Sequence, residues 1–354
     1  LGKGVTAKDV AEKAGTSVST VGRVMADDPR ISSATKANVL KAAAELGYVQ
    51  SMAARVMRGG SSKLVGLVLP NIRNDFYAAI AQALSHCCEG EDYRLVLSIT
   101  DDNRDTEAKQ VRELVSARVA GIFIAPTATP RKETLALLDR TPHVQLLRRI
   151  PELGSDWFGI DDESCIHHAC QHLLALGHRR IGYIGGRDSL STGRDRVTGF
   201  RRAYASAGIS LKLAQIELGI PNVSFGKEAA GRLFDRPDRP TAIVCGAAEI
   251  TLGLIDALST RQISVPKDVS IIGFGDPTWM QWWGPGLTSI RFSIDELATT
   301  CGLWFLHRLK APQMKAGGHS STTASSLVLR GSTGVPPNIP ASTPAAKTKR
   351  TAKG

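Results

Sequence analysis

Apolar residues near the N-terminus recur at the three- and four-residue spacing of an amphipathic helix. Val10, Ala11 and Ala14 share one face of this helix, and Gly15 follows at a position that favours left-handed backbone. A second helix is predicted directly after it, capped by Thr16 or Ser17. Its polar side carries Ser17, Ser19, Thr20 and Arg23, and its apolar side carries Val18 or Val21, Val24 and Met25. The pattern predicts two short helices joined by a tight turn.

A third helix follows the break at Asp27-Asp28-Pro29, capped by Ser32 or Ser33 and ended by Gly47. Residues 50–58 are then good helix formers that lie beside the flexible run Gly59-Gly60-Ser61-Ser62. A helix this short is marginal unless something holds it. The sequence therefore predicts an all-α headpiece over residues 1–49 and a hinge helix with its linker over residues 50–62.

From Leu64 the period changes to nearly continuous apolar runs, which are typical of parallel strands buried on both faces. The predicted strands are 64–70, 94–99, 121–126, 144–147, 181–186, 242–245 and 270–274. The predicted helices among them are 75–88, 105–117, 131–139, 163–176, 195–207, 226–234 and 250–258, and the last ordered piece is 325–330. This alternation predicts an α/β body of two doubly wound parallel-sheet subdomains, with ligand chemistry at the carboxyl ends of the strands.

The positive charge is concentrated at the two ends of the chain. Of the formal net charge of +11, residues 1–63 carry ten Lys/Arg against five Asp/Glu, and residues 335–354 carry four basic residues and no acid. This leaves +2 on the body, because 11 − 5 − 4 = 2. A basic head on a nearly neutral body suits binding to the phosphates of a polyanion. The Pro-, Ala-, Thr- and Lys-rich segment 335–354 is predicted to be a disordered basic tail.

The composition favours no membrane span, no metal and no cofactor. No apolar run is long enough to cross a bilayer and no signal-peptide stretch is recognised, so a cytoplasmic location is expected. The six cysteines form no CxxC pair and are expected to be reduced core residues. A metal site from Cys165, His167, His168 and Cys170 is disfavoured, because these side chains would point to different faces of one helix.

Two short helices joined by a glycine-containing turn form a helix-turn-helix, whose second helix fits the major groove of DNA. On this pattern alone, two surface helices of an enzyme remain an equal alternative. No catalytic set supports an enzyme, since the GxGxxG, Walker A and GxSxG patterns are missing in usable contexts. A solute-binding protein without a DNA role would explain the body but not the headpiece.

Several motifs occur together in an order that identifies a family. They are Thr6-Ala7-Lys8-Asp9-Val10-Ala11-Glu12-Lys13-Ala14-Gly15, Ser19-Thr20-Val21, Leu46-Gly47-Tyr48-Val49, Ala54-Arg55, Gly177-His178-Arg179-Arg180-Ile181, Arg196-Val197-Thr198-Gly199-Phe200, the run 265–274 and Leu287-Thr288-Ser289-Ile290. With these motifs the chain resembles the lactose-repressor (LacI/GalR) family of bacterial transcription regulators over about residues 4–334.

The resemblance implies a homodimer whose paired headpieces bind a roughly palindromic double-stranded operator, and a body that binds a small effector in its interdomain cleft. The body, residues 63–334, would be like the periplasmic sugar-binding proteins. Its N-subdomain would cover about 63–160 and 292–322, and its C-subdomain about 161–291 and 323–334. No terminal leucine heptads of the kind that assemble tetramers are present, which favours a dimer. Repression is the more frequent outcome in the family.

The resemblance also implies which side chains contact DNA. Val18, Ser19 and Arg23 would face base edges, Thr6 and Ser17 would meet phosphates, and Thr20 belongs to the same surface. In the hinge, Met57 takes the place of the apolar residue that is pushed between base steps, and Ala54, Arg55 and Arg58 would support it. Gly22 and Gln50-Ser51 depart from the family pattern, which puts the order of the hinge in question.

For the effector, the resemblance points to Phe76, Tyr77, Arg148, Thr192 and Arg196, together with Asp161 at the first crossover between subdomains and Asp276. Ala247-Ala248 stands where many sugar-binding members have Asn-Asp, and the acid after Phe274 is displaced by one place to Asp276. A cleft short of carboxylates but holding two arginines favours an anionic sugar acid over a neutral sugar. Trp279, Trp282 and Trp283 either cap the cleft or pack as a surface loop.

Overall fold

The structure is a computed structural model that describes residues 5–49, 62–211, 215–311 and 318–337. The expectations for the hinge residues Ala54, Arg55, Met57 and Arg58, and for the tail beyond residue 337, lie outside the described residues. The chain divides into two compact units, a smaller one with the N-terminal helices and a larger one that begins at Leu64. Each unit is described by itself below.

The headpiece has three helices, α1 (Ala7–Lys13), α2 (Val18–Met25) and α3 (Ser33–Leu46). Thr6 and Asp9 form a reciprocal capping box at the start of α1, and Ser17 caps α2 by accepting a hydrogen bond from the Thr20 amide at 3.1 Å. Gly15, with φ of +62°, turns the chain between α1 and α2. The helix ends predicted from capping residues and glycines are found in the structure, because capping depends on residues close together in the sequence.

The three helices enclose a small core of buried aliphatic side chains: Val10, Ala11, Ala14, Val21, Val24, Val39, Ala42 and Ala43. The Asn38 side-chain amide donates to the Ala14 carbonyl at 2.9 Å, which ties α3 to the turn between α1 and α2. This core orients α2 so that its opposite face is open to solvent.

The body contains two six-stranded sheets with helices packed on them. Its elements are β1 (Leu64–Leu69), α4 (Asp75–Gly90), β2 (Arg94–Ile99), α5 (Arg104–Ser116), β3 (Gly121–Ile124), α6 (Lys132–Asp139), β4 (His143–Leu146), β5 (Trp157–Ile160), α7 (Asp162–Ala175), β6 (Ile181–Gly186), α8 (Ser191–Ser206), β7 (Ile216–Gly219), α9 (Val223–Phe234), β8 (Ala242–Cys245), α10 (Ala248–Thr260), β9 (Ser270–Phe274), α11 (Trp279–Trp282), β10 (Thr288–Phe292), α12 (Ile294–Lys310), β11 (Ser320–Thr323) and β12 (Ser325–Val328).

The strand order is β11-β5-β4-β3-β1-β2 in the first sheet, called the N lobe with its helices α4, α5, α6 and α12. It is β12-β10-β9-β8-β6-β7 in the second, called the C lobe with α7 to α11. All pairings are parallel except the antiparallel β10–β12 pair. The predicted α/β class and doubly wound parallel sheets are confirmed. The chain passes between the lobes three times, after β5, β10 and β11.

A buried imidazole anchors the end of the described chain to the C lobe. His178 is fully buried before β6, where its Nδ1 lies 2.8 Å from the Thr241 hydroxyl. Its Nε2 lies 2.9 Å from the Gly334 carbonyl and 3.2 Å from the Ser270 hydroxyl. Because a carbonyl only accepts, Nε2 carries the proton and Nδ1 accepts. Burial lowers the pKa of His178, so the folded protein keeps the ring neutral.

We expect His178→Ala to lower the free energy of unfolding by about 3 kcal/mol at pH 7.5, because it removes buried hydrogen bonds and leaves a cavity. Since the pKa is lower in the folded state, His178 stabilises fully above its unfolded pKa near 6.5, and this contribution declines as the pH falls below that value. Urea denaturation should therefore show a smaller loss of stability at pH 5.5 than at pH 7.5. The exposed His86→Ala variant is the control, and an equal loss at both pH values would contradict a neutral ring.

Candidate functional site

The exposed face of α2 is the first candidate site. Val21 and Val24 are buried, whereas Val18 is 46% exposed and both Ser19 and Arg23 are exposed. The sequence pattern allowed either Val18 or Val21 on the apolar side of this helix. The structure places Val21 in the core and Val18 on the surface. This surface combines an apolar side chain, a hydroxyl and a guanidinium, which are groups that can contact base edges in a major groove.

The hydroxyl groups at the start of α2 form a small polar cluster. Ser17 Oγ lies 2.9 Å from Ser19 Oγ and 2.9 Å from Thr20 Oγ1. Among the described residues, the Arg23 side chain has no hydrogen-bond or ion-pair partner, although its charge helps to lower the pKa of Asp28. Thr6 and Ser17 stand at the N-termini of α1 and α2, where unpaired amides and the helix dipole favour anions such as phosphate.

The second candidate site is a cavity of about 400 Å³ between the lobes, at the carboxyl ends of the strands. Five of the predicted effector residues line it: Phe76, Tyr77, Arg148, Thr192 and Arg196. Asp161 and Asp276 are not among the lining residues. The cavity therefore lies where the alternation of strands and helices predicts a ligand site.

In the N lobe, Arg148 follows β4 and enters the cavity. Its guanidinium makes a bidentate ion pair with Asp102, in which Nη2 donates to Oδ2 at 3.1 Å. The Arg148 side chain is only 7% exposed, so the charge needs this partner. Asp102 lies in a tight turn after β2 with φ of +55°, which points its carboxylate at Arg148.

In the C lobe, Arg196 of α8 makes the equivalent pair with Asp162 of α7. Its Nε lies 2.7 Å from Asp162 Oδ1, another nitrogen donates to the Gly246 carbonyl at 2.6 Å, and the guanidinium carbon lies 4.0 Å from the centre of the Phe274 ring. Burial raises the pKa of Asp162, and the charge of Arg196 opposes that shift. Gly199 allows the close approach of the two helices, since a Cβ there would lie 2.1 Å from the Glu163 carbonyl.

Two predicted effector residues are wrong in position. Asp161 is the exposed N-cap of α7 and accepts a hydrogen bond from the Ser164 amide at 3.0 Å, so the cavity carboxylate is its neighbour Asp162. Asp276 turns away from the cavity and binds Arg330 at 2.7 Å and Arg291 at 2.7 Å. These partners hold the pKa of Asp276 below its usual range despite its burial.

The premise that the cleft is short of carboxylates is also wrong. Four acids line the cavity, namely Asp75, Asp102, Asp162 and Glu249, and they match the four arginines Arg73, Arg148, Arg187 and Arg196. The two most buried arginines are already paired with acids. The lining is therefore balanced in charge, and the electrostatic argument for an anionic ligand no longer holds.

Glu249, in the first turn of α10, is one of the cavity acids that the sequence pattern did not identify as site residues. Its Oε2 atom is buried in the cavity wall and has no hydrogen-bond partner among the described residues. Burial raises the pKa of this carboxyl. A carboxyl in a cavity wall that keeps an unsatisfied buried oxygen can gain a hydrogen bond by turning toward a ligand hydroxyl.

Aromatic rings cover much of the remaining wall. Phe76 packs edge-on against Tyr77 and Phe292, with ring centroids 5.7 and 5.6 Å apart, and Phe292 lies 5.2 Å from Phe274. Of the three tryptophans, only Trp279 lines the cavity. Trp282 is 75% exposed, and Trp283 packs against the core of the C lobe. The idea that all three cap the cleft is therefore wrong for two of them.

Two absences complete the description of the site. Within the described ranges, no three His, Cys, Asp or Glu side chains are placed to hold a metal ion, and Cys165 and Cys170 are buried core residues. No helix in the described part of the chain is long and apolar enough to span a membrane.

Comparisons with known proteins match both parts of the chain. Residues 6–51 match the model of the bacterial regulatory proteins of the lacI family, and residues 170–333 match a periplasmic binding protein-like domain. The chain is 30% identical to the transcriptional regulator GalR of Escherichia coli over 83% of its own length and 86% of that protein. It is 32% identical to DegA of Bacillus subtilis, with 82% and 88% covered.

Among solved structures, the chain is similar to the lac repressor dimer bound to operator and the anti-inducer ONPF. The TM-score is 0.82 at 25% identity, and the match covers 94% of this chain and all of the other. This likeness includes the order of headpiece and two-lobed body along the chain.

Proposed function

The chain belongs to the LacI family of bacterial regulatory proteins, and we propose that it is a repressor whose operator affinity is controlled by a neutral sugar bound between its lobes. The single observation that carries this proposal is that one chain joins a helix-turn-helix with an exposed recognition face to a body with a polar and aromatic cavity. Neither a solute-binding protein nor an enzyme needs the first of these parts. Operator DNA as partner places the protein in the bacterial cytoplasm.

We propose that α2 lies in the major groove of the operator. Arg23 would donate two hydrogen bonds to guanine O6 and N7, Val18 would contact a thymine methyl group, and Ser19 would bind a neighbouring base edge. Thr6, Ser17 and Thr20 would bind phosphates, because hydroxyls and amides cluster at the two helix N-termini. In the hinge, Ala54, Arg55, Met57 and Arg58 keep the minor-groove roles that the resemblance gives them.

We propose a homodimer, since one headpiece reads only half of a palindromic site. The C lobe exposes Val223 and Trp282, and the N lobe exposes Ile72 and Leu97. Large apolar side chains on the surface of both lobes are what a two-fold interface would cover. Light scattering is expected to give two chains per particle, and four chains would contradict this assignment.

The contacts of the cavity favour a neutral polyhydroxylated effector over a sugar acid. An incoming carboxylate would compete with Asp102 for Arg148 or with Asp162 for Arg196, and in the second case it would leave the buried Asp162 unpaired. A ligand hydroxyl can donate to the Glu249 carboxyl and accept from an arginine. Neither the Arg148–Asp102 pair nor the Arg196–Asp162 pair has to break. The flat apolar face of a sugar ring would pack on the aromatic wall.

The test is a metabolite screen by thermal shift, followed by gel shift of the hits on the promoter nearest to the protein's own gene. Calorimetry on matched pairs of neutral sugars and their acids should show that the neutral member binds at least about tenfold more tightly, which corresponds to about 1.4 kcal/mol. Tight binding of the acid together with none of the neutral sugar would contradict the effector class. No protein–DNA complex on any promoter fragment would contradict the regulator itself.

A further inference from the structure

Among the described residues, Arg149 makes polar contacts that join the two lobes across the cleft. Its backbone amide donates to Ser191 Oγ at 2.9 Å, and its guanidinium lies 2.8 Å from Asp195 Oδ2. Arg149 follows β4 in the N lobe, whereas Ser191 and Asp195 belong to α8 in the C lobe. The two ion pairs of the cavity wall, Arg148–Asp102 and Arg196–Asp162, each stay within one lobe.

The N-lobe side of this contact is held rigidly. The Arg149 guanidinium lies 4.5 Å from the centre of the Trp157 ring, a cation–π distance. Trp157 in turn donates its indole hydrogen to the Leu147 carbonyl at 3.0 Å. Leu147 itself has φ of +64°, which sets the direction in which the chain leaves β4. Arg149 is thereby presented to α8 with little freedom of its own.

The contact is interleaved with the cavity wall. Arg148, beside Arg149, lines the cavity, and Thr192 and Arg196 line it beside Ser191 and Asp195. A rotation of one lobe against the other would therefore pull the cavity residues apart at the same time as it breaks the contact. A ligand that contacts Arg148 and Arg196 together would favour the arrangement in which the contact is made.

We propose that Arg149, Ser191 and Asp195 form an ionic latch that holds the lobes together over the cavity and so sets the affinity for the effector. The inference rests on the proposed function for its biological meaning, but not for its test. Because the Arg149 and Asp195 side chains are 40% and 20% exposed, the latch is weak and sensitive to salt. Because the latch is weak, a small ligand can shift the equilibrium between the latched and the open arrangement of the lobes.

The test measures the distance between lobes by pulsed electron spin resonance on the full chain, without DNA or sugar. Spin labels are placed at Lys132→Cys in the N lobe and Ser206→Cys in the C lobe, two exposed positions, in a Cys87→Ser background, since the other five cysteines are buried. Labelled chains are diluted with unlabelled ones, so that only distances within a chain are read. Arg149→Gln and Asp195→Asn are compared with Glu163→Gln, which breaks a pair between α7 and α8 inside the C lobe.

We expect Arg149→Gln and Asp195→Asn each to lower the ratio of latched to open chains roughly threefold, as for a half-exposed ion pair. The double variant should add nothing to either single variant. Glu163→Gln should match the wild type, and 0.5 M salt should open both of them while leaving Arg149→Gln and Asp195→Asn unchanged. Ser191→Ala should open the lobes without changing any charge. Distributions that coincide with the wild type, or an equal shift in Glu163→Gln, would overturn the latch. A protein that passes this test but binds no operator would refute only the proposed function.

Discussion

Deletion of residues 1–61 should abolish specific promoter binding, lowering the affinity by about a thousandfold or more. The deletion removes α2 with its exposed face and a segment with a net charge near +4, so both base contacts and phosphate contacts are lost. The α/β body should remain folded, because its core is a separate compact unit. Gel shift at several salt concentrations, with far-ultraviolet circular dichroism of the truncated chain, measures both effects.

A matched pair of arginines separates base contacts from general charge. Arg23→Ala should weaken binding by about 1–3 kcal/mol and relax the sequence preference at one base pair. Arg30→Ala removes the same charge from the same unit, but the Arg30 guanidinium is held by a bidentate pair with Asp28. Because its charge is already neutralised by Asp28, Arg30→Ala should weaken binding to all sequences only slightly. Equal losses in the two variants, or a truncated chain with unchanged affinity and salt dependence, would remove the basis for the DNA-binding assignment.

Replacement of Arg196 should give the second large effect, loss of the response to the effector. Arg196→Ala removes a cavity guanidinium, and we expect effector affinity to fall about a hundredfold, the value of a charged hydrogen bond. The same change strands Asp162 as a buried, unpaired acid and should cost about 3–5 kcal/mol of stability. Gel shift with and without the sugar that the screen identifies would show an operator complex that no longer responds.

A double variant keeps the effect on binding separate from the effect on folding. Arg196→Met with Asp162→Asn removes both charges together, which should restore most of the stability while the response stays absent. Arg202→Met is the control, because Arg202 pairs with Glu163 on the same two helices but outside the cavity. An effector response that survives in the double variant would place the ligand elsewhere.

Local and periodic features were predictable from the sequence. The headpiece followed from caps and glycine turns, which depend on residues three or four apart. The α/β class followed from apolar runs that alternate with amphipathic helices, and the family followed from the order of its motifs. Strands β5, β7, β10 and β11 were missed. Of these, β7 and β11 are edge strands with partly exposed side chains, so they lack the buried apolar run that marks β3, β4 and β8. Helix α12 was also missed, although Leu297, Ala298, Cys301 and Phe305 recur at helical spacing.

The sequence by itself determined the fold class, the two candidate surfaces and two of the four cavity arginines, Arg148 and Arg196. Only the tertiary structure decided which acids oppose them, because Asp102 and Asp162 reach the arginines from other elements of the chain. It also showed that Asp276 serves Arg330 and Arg291, and that Arg149 reaches across to α8. The physical reason is that the charge of a cavity is a sum over side chains brought together by folding. Asp161 and Asp162 are neighbours in sequence, but their side chains point in different directions because helix α7 begins between them.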